Sequence, residues 1–257
     1  MRKQIVIDQN LISYVEIQGQ GNGPVLLFLH GWRSNKEVWQ GIIKKFISLS
    51  ADQHISLLAL DLPGFGGSQG PKQPMAVGDY AEVVAEFIKN LELRNVILIG
   101  HSFGGRVGIK LAANYSSFIE KLVLVDSAGF AMPSSKKNLY RTAAKIVKPI
   151  FKPAFMQGLR KKIYQSIGAE DYVATPELQK TFVNVVSEDL SEDMGRVFCP
   201  TLIIFGENDE VTPKGFGQRM QLKIKNSKLK ILPNAGHYSF LDQPEEFVEI
   251  LSEFVVS

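Results

Sequence analysis

Val96-Ile97-Leu98-Ile99, running straight into Gly100-His101-Ser102-Phe103-Gly104, is the stretch whose reading decides the fold. The apolar run has the composition of a buried strand, and Val107-Gly108-Ile109-Lys110-Leu111-Ala112-Ala113 leaves it on a helical pattern. Ser102 therefore sits on a sharp strand-to-helix turn. Such a turn forces the serine into a strained conformation with its hydroxyl above the sheet, and small residues on either side let strand and helix approach. The following helix aims its N-terminal partial positive charge and unpaired N–H groups at the place where an oxyanion would develop. Ser102 is thus a candidate nucleophile. The pattern G-x-S-x-G alone arises by chance roughly 0.1 times in a chain of this composition, and a bland alternative exists in a glycine-rich connection needed only for packing. Context has to supply the specificity.

A serine hydroxyl needs a general base and a group that orients the base. The chain has 4 histidines, His30, His54, His101 and His237. His54 precedes the strand-like Ile55–Leu60 and reads as a loop histidine. His101 adjoins the nucleophile, but on so tight a turn its side chain points away from that of Ser102. His30 precedes Gly31 at the end of another apolar run, a place suited to shaping a loop. His237, in Asn234-Ala235-Gly236-His237-Tyr238 directly after the strand-like Leu229–Leu232, is where a base belongs in an open parallel sheet. The orienting acid should also end a strand. Asp209 is the first choice, in Gly206-Glu207-Asn208-Asp209 after Thr201–Phe205, because Glu207 lies too near the strand end and Glu210 reads as facing solvent. Asp126, which ends Leu122–Val125, competes with it from one strand over.

Ser102, Asp209 and His237 occur in the order Ser, Asp, His with a long insertion between the first two. In this the chain resembles the α/β-hydrolase fold superfamily, in its serine-nucleophile, esterase-like branch with a helical cap. Nearly the whole chain takes part in the resemblance. His30-Gly31-Trp32 looks like the family's oxyanion-loop motif, which implies that the backbone N–H groups of Trp32 and Phe103 form the oxyanion hole. Asp61-Leu62-Pro63-Gly64-Phe65-Gly66-Gly67-Ser68 is similar to the D-x-P-G-F-G-x-S turn of esterase, epoxide hydrolase and C–C hydrolase branches. The implied fold is α/β, a mostly parallel doubly wound sheet with helices on both faces and a helical cap inserted in it. The implied activity is carboxylic ester hydrolysis through an acyl-enzyme, without cofactor or metal. Serine at the elbow argues against the branches that carry aspartate there. C–C hydrolases, lactonases, thioesterases and aminopeptidases share the fold, as do receptor-like binding proteins with weak turnover.

Composition agrees with this. A chain of 257 residues with 45% hydrophobic content suits one compact domain with a sizeable core. The start, Met1-Arg2-Lys3-Gln4-Ile5-Val6-Ile7-Asp8, alternates like a strand, and no run spans a bilayer, so the expected location is the cytoplasm. Cys199 stands alone, which excludes an internal disulfide. The expected partner is a small-molecule ester and not a nucleic acid. A dinucleotide fold is set aside because Gly64-Phe65-Gly66-Gly67-Ser68-Gln69 lacks the third glycine of G-x-G-x-x-G.

Gln4–Ile7 and Ile12–Ile17 read as an antiparallel hairpin, after which apolar strands alternate with amphipathic helices. Residues 130–195 break the alternation with a mostly helical, proline-interrupted segment. This divides the chain into a core, 1–129 and 196–257, and an inserted cap, 130–195, whose Phe151, Phe155, Met156, Leu159, Tyr164 and Phe182 are candidates for its inner surface. Residues 130–168 hold nine basic side chains and no acidic one (Lys136, Lys137, Arg141, Lys145, Lys148, Lys152, Arg160, Lys161, Lys162). Several fall on one helical face. The plain reading is a solvated outer face, and the functional ones are steering of an anionic substrate or contact with an anionic membrane surface.

Overall fold

A computed structural model of the chain describes residues 2–21, 23–49, 54–131 and 175–257. The chain opens on the expected hairpin, β1 (Arg2–Ile7) and β2 (Asn10–Ile17). Asp8 and Gln9 form its two-residue turn, both at positive φ, the conformation whose twist matches that of the flanking strands. Then come β3 (Val25–Leu29), helix α1 (Gln40–Leu49), β4 (Ser56–Leu60), α2 (Val77–Asn90), β5 (Val96–His101), α3 (Phe103–Asn114) and β6 (Ile119–Val125). After the segment that begins at 132, the described chain resumes with α4 (Gln179–Ser187), the short α5 (Ser191–Met194) and β7 (Thr201–Gly206). It closes with α6 (Gly215–Lys223), β8 (Ser227–Leu232), α7 (Ser239–Asp242) and α8 (Pro244–Val256).

The eight strands form one sheet in the order β1-β2-β4-β3-β5-β6-β7-β8, antiparallel through β1, β2 and β4 and parallel from β4 to β8. β3 is apolar at every position and its neighbours β4 to β7 over most of their length, because both faces are covered. Leu27, Leu29, Leu98, Leu124, Ile203 and Phe205 pack on one side with α2 and α3, while Leu26, Phe28, Ile99, Val123, Leu202 and Ile204 alternate onto the other with α1 and α8. On that second side Trp39 stacks on Phe240 with ring centroids 4.2 Å apart, and both are fully buried. Truncating either to alanine should cost about 3–5 kcal/mol, as large buried aromatics do.

The strand order sets the position of the site. From β3 the chain moves outward to β4, then returns to lay β5 on the opposite side of β3, so the loops after β3 and β5 diverge and leave a crevice at their C-terminal ends. His30-Gly31-Trp32 follows β3 and Ser102 follows β5. Among the described residues no helix is long and apolar enough to cross a membrane. The basic side chains at 136–162, together with Phe151, Phe155, Met156, Leu159 and Tyr164, lie outside the described residues. Of residues 130–195, expected to form an inserted cap, the described part is 130–131 and the stretch from 175 onward, carrying α4 and α5.

Candidate active site

Ser102 has φ 51° and ψ −106°, outside the regions open to ordinary L-residues, and the surrounding chain holds it there. Its N–H donates to the Val125 carbonyl at 3.0 Å, and its carbonyl accepts from Gly105 and Ala128 at 3.1 and 3.2 Å. The flanking glycines are steric necessities. A Cβ on Gly100 would lie 2.5 Å from the Gly104 carbonyl oxygen, and one on Gly104 would lie 2.6 Å from the Leu29 carbonyl oxygen. The G-x-S-x-G pattern therefore records two close backbone approaches, helix to its own strand and helix to β3.

His237 reaches Ser102 from the loop after β8, with Nε2 3.1 Å from Oγ. Its Nδ1–H donates to Asp209 Oδ2 at 2.9 Å, which leaves Nε2 unprotonated and able to accept the serine proton. Asp209 lies in the turn after β7 with its carboxylate buried. Oδ1 accepts from the N–H groups of Val211 and Thr212 at 2.8 and 2.9 Å, so the turn folds around its own acid. Burial would raise the pKa of Asp209, but the bonds from His237 and Thr212 outweigh it and hold the group below the usual carboxylate range. The structure thus brings Ser102, His237 and Asp209 into one chain of hydrogen bonds. Glu207 and Glu210 are exposed.

Asp126 is also buried, but it stands elsewhere. Oδ1 accepts from Gly206 N–H at 2.8 Å and Oδ2 from Ser239 N–H at 3.0 Å, tying the ends of β6 and β7 to the start of α7. Burial pushes its pKa up to about 7, with the nearby Asp209 adding to the rise and the two N–H donors opposing it.

The remaining histidines are structural. His30 donates from Nδ1 to the Gly31 carbonyl at 2.7 Å and accepts at Nε2 from Leu62 N–H at 3.0 Å, which fixes a neutral tautomer and joins the loop after β3 to the turn after β4. Burial lowers its pKa to about 4. His101 points away from Ser102, as its turn requires, and donates from Nε2 to the His237 carbonyl at 2.7 Å. Burial, reinforced by His237, takes its pKa down to about 3, so it stays neutral and holds the base by its backbone. His54 is exposed and bonds the Gln20 carbonyl.

Three further contributors are not among the residues expected from the sequence. Lys36 is buried against Asp61, whose carboxylate also accepts from Lys36 N–H at 2.7 Å and Gly67 N–H at 2.8 Å. This ion pair pins the Asp61–Ser68 turn, and Gly66, at φ 55°, is required because a Cβ there would meet the Asp61 carboxyl at 2.3 Å. The Thr212 hydroxyl lies 2.7 Å from Asp209 Oδ2, 3.1 Å from His237 Nδ1 and 2.9 Å from the Asp126 carbonyl oxygen. Its single proton serves the carboxylate or the carbonyl, and a lone pair faces the imidazole N–H. The placement three residues after Asp209 is a local signal, since an acid capping the N–H groups two and three positions on is a known turn habit. Arg106 is the third, one helical turn beyond Ser102.

A cavity of about 200 Å³ opens beside Ser102. Trp32 and Phe103 form one wall, Phe182 and Val185 of α4 another, and Phe130 and Phe216 a third. Trp32 is wedged against Phe65, Phe103 and Phe182 with centroids 4.9, 5.2 and 5.2 Å away, which fixes the loop that carries its N–H. Phe103 is the first residue of α3, so its N–H is one of those a helix leaves without an internal partner. Among the described residues, no cluster of His, Cys, Asp and Glu is placed to hold a metal ion.

Comparison with known proteins adds ancestry to this geometry. Residues 26–250 match the model of the alpha/beta hydrolase family. A pimeloyl-[acyl-carrier protein] methyl ester esterase of Nitrosomonas europaea is 30% identical over 260 residues, covering 92% of this chain and 98% of that protein. A monoacylglycerol lipase of Bos taurus is 28% identical, covering 92% and 77%. Among solved structures, an esterase from Exiguobacterium antarcticum superposes with a TM-score of 0.79 at 24% identity over the whole of both chains, a likeness of fold.

Proposed function

This chain belongs to the alpha/beta hydrolase family, and from that premise we propose that it is a serine hydrolase of small carboxylic esters with Ser102 as nucleophile, His237 as base and Asp209 as orienting acid. The observation that carries the proposal is the continuous relay from Ser102 Oγ through His237 to Asp209, at 3.1 and 2.9 Å, opening on an apolar cavity. Esterase and lipase relatives support the choice of bond.

In the proposed reaction Ser102 Oγ attacks the ester carbonyl carbon while His237 Nε2 takes its proton. The carbonyl oxygen becomes an oxyanion that accepts from the N–H groups of Trp32 and Phe103. Asp209 stabilises the imidazolium and keeps its Nδ1–H turned inward. His237 then protonates the departing alkoxide, leaving an acyl-serine. Water, deprotonated by the same imidazole, attacks the acyl carbon and releases the acid and free Ser102. The core of 1–129 and 196–257 supplies all these groups, while the 130–195 insertion, as a cap, supplies cavity wall through α4. A cytoplasmic setting belongs to the same proposal.

A panel of p-nitrophenyl esters of graded acyl length, run beside thioesters, lactones and aminoacyl amides, tests it. The expected result is fastest turnover on an oxygen ester, abolished in Ser102→Ala. Preference for another bond type would reassign the activity within the fold. Turnover that survives in Ser102→Ala would remove the mechanism.

A further inference from the structure

One charged side chain is among the described residues lining the apolar cavity beside Ser102, and it is Arg106. The residue is almost completely buried, at 3% exposure. It donates from Nη1 to the Glu188 carbonyl at 2.8 Å and from Nη2 to the Phe130 carbonyl at 2.5 Å. Both acceptors are neutral. No described carboxylate lies within ion-pair distance; the charges of Glu188 and Asp189 reach it from further away, and both acids are bonded elsewhere. Glu188 pairs with Lys110 at 2.8 Å and accepts from Val77 N–H, and Asp189 accepts from Ser191 and Ala131 N–H. Burial lowers the pKa of Arg106 to about 10, so the group stays cationic at neutral pH. A second guanidinium, that of Arg219, stands 3.7 Å over the ring of Phe130, so the two cations flank one cavity-lining residue.

A buried guanidinium has five donors, and two carbonyls leave Nε–H and one proton on each Nη. In an apolar cleft a small number of placed polar groups set which ligand is accepted, and arginine's planar fork matches a carboxylate. Arg106 is also four residues beyond Ser102 on α3, so about 6 Å of helix rise separates the two backbone positions. A short chain spans that distance. We propose, resting on the hydrolase reading above, that the site takes esters that carry a second, ionised acid group, with that carboxylate set against Arg106 and the ester carbonyl at Ser102. The competing account is that Arg106 only ties Phe130 to Glu188, the two sides of the insertion.

The test compares p-nitrophenyl hemiesters of succinic, glutaric and adipic acids with p-nitrophenyl esters of neutral acids of matching length. Acetate esters of short hydroxy acids and of the matching alcohols place the charge on the other side of the bond. The parent should favour the charged member of at least one set in kcat/KM. Arg106→Gln should cut that charged-to-neutral ratio by about 10- to 100-fold, the loss expected for a charge-assisted hydrogen bond. Arg106→Lys, which keeps the charge without the fork, should fall between. A mere tie would slow both members together and leave the ratio unchanged, which would overturn the proposal, as would a parent with no preference for charge. Should Arg106→Gln not fold, the parent ratio and the lysine variant decide. Calorimetric titration of Ser102→Ala with adipate separates this proposal from the hydrolase reading. Saturable binding that Arg106→Lys weakens would keep the anion site even if no ester were cleaved. Absence of both binding and charge preference would remove it.

Discussion

β6 and β7 lie side by side in the sheet, each runs apolar to its end, and each is followed by an aspartate, yet the two acids do different things. Asp126 comes directly after the last residue of β6, at φ 44°, and turns down among backbone N–H groups, where burial raises its pKa to about 7. Asp209 comes three residues past β7, on a turn that projects beyond the sheet edge, and meets His237 with its pKa held low. The lesson is that distance past the strand end decides whether a carboxyl becomes a bracket between strands or a partner for the base. The two are joined by Thr212, whose hydroxyl touches the Asp209 carboxylate and the Asp126 carbonyl.

The largest effects are expected at the relay itself. Ser102→Ala and His237→Ala should each lower ester hydrolysis by about 10⁴-fold or more, because members of such a unit act together. Asp209→Asn should cost about 10⁴-fold, since an amide stabilises the wrong imidazole tautomer. Asp126→Asn should cost less than about 10-fold. The reverse ranking, in kcat on any turned-over ester, would transfer the acid's role to β6.

Thr212 sharpens the same contrast on a smaller scale. Thr212→Val keeps the shape and removes the hydroxyl, and it should lower kcat about 10-fold with little change in KM, the worth of one hydrogen bond felt at the base. Thr212→Ser should restore most of the rate. A loss that serine does not restore would mean that the methyl packing, not the hydroxyl, matters there.

The smallest effect is on stability against pH. The carboxyl of Asp126 ionises near 3.8 when unfolded and near 7 when folded, so between those values the folded chain binds the extra proton. Its contribution is complete below about pH 4 and is lost as pH rises through about 7. Denaturant unfolding at several pH values should therefore show a component that falls across this window in the parent and is missing in Asp126→Asn. A flat difference between the two proteins would place the ionised form of Asp126 in the native state throughout.

Much of the site was legible in the sequence because much of it is local. The elbow glycines answer to backbone atoms within a few residues or on the adjacent strand. The Asp8-Gln9 turn, the capped Asp209 turn and the strand ends carry their own chemistry. His30 and His54 stand in loops, as their flanking residues imply. His101 was seen to face away from Ser102, but its grip on the His237 carbonyl joins residues 136 apart in sequence, which no local pattern encodes. The Lys36–Asp61 pair and the Arg106 bonds to Phe130 and Glu188 were missed for the same reason, being contacts made by the folded sheet and not by neighbours in the chain. Residues 130–195 are the least legible part. Their composition marked an insertion, but a helical pattern broken by Pro133, Pro149, Pro153 and Pro176 does not encode how the pieces pack.

The most direct test of the central claim is labelling with a fluorophosphonate probe followed by mapping of the modified peptide by mass spectrometry. One modified residue is expected, Ser102, labelled in the parent and in Asp126→Asn, slowly in Asp209→Asn, and almost not at all in His237→Ala. A label on any other serine, or equal labelling of Ser102 with and without His237, would contradict it.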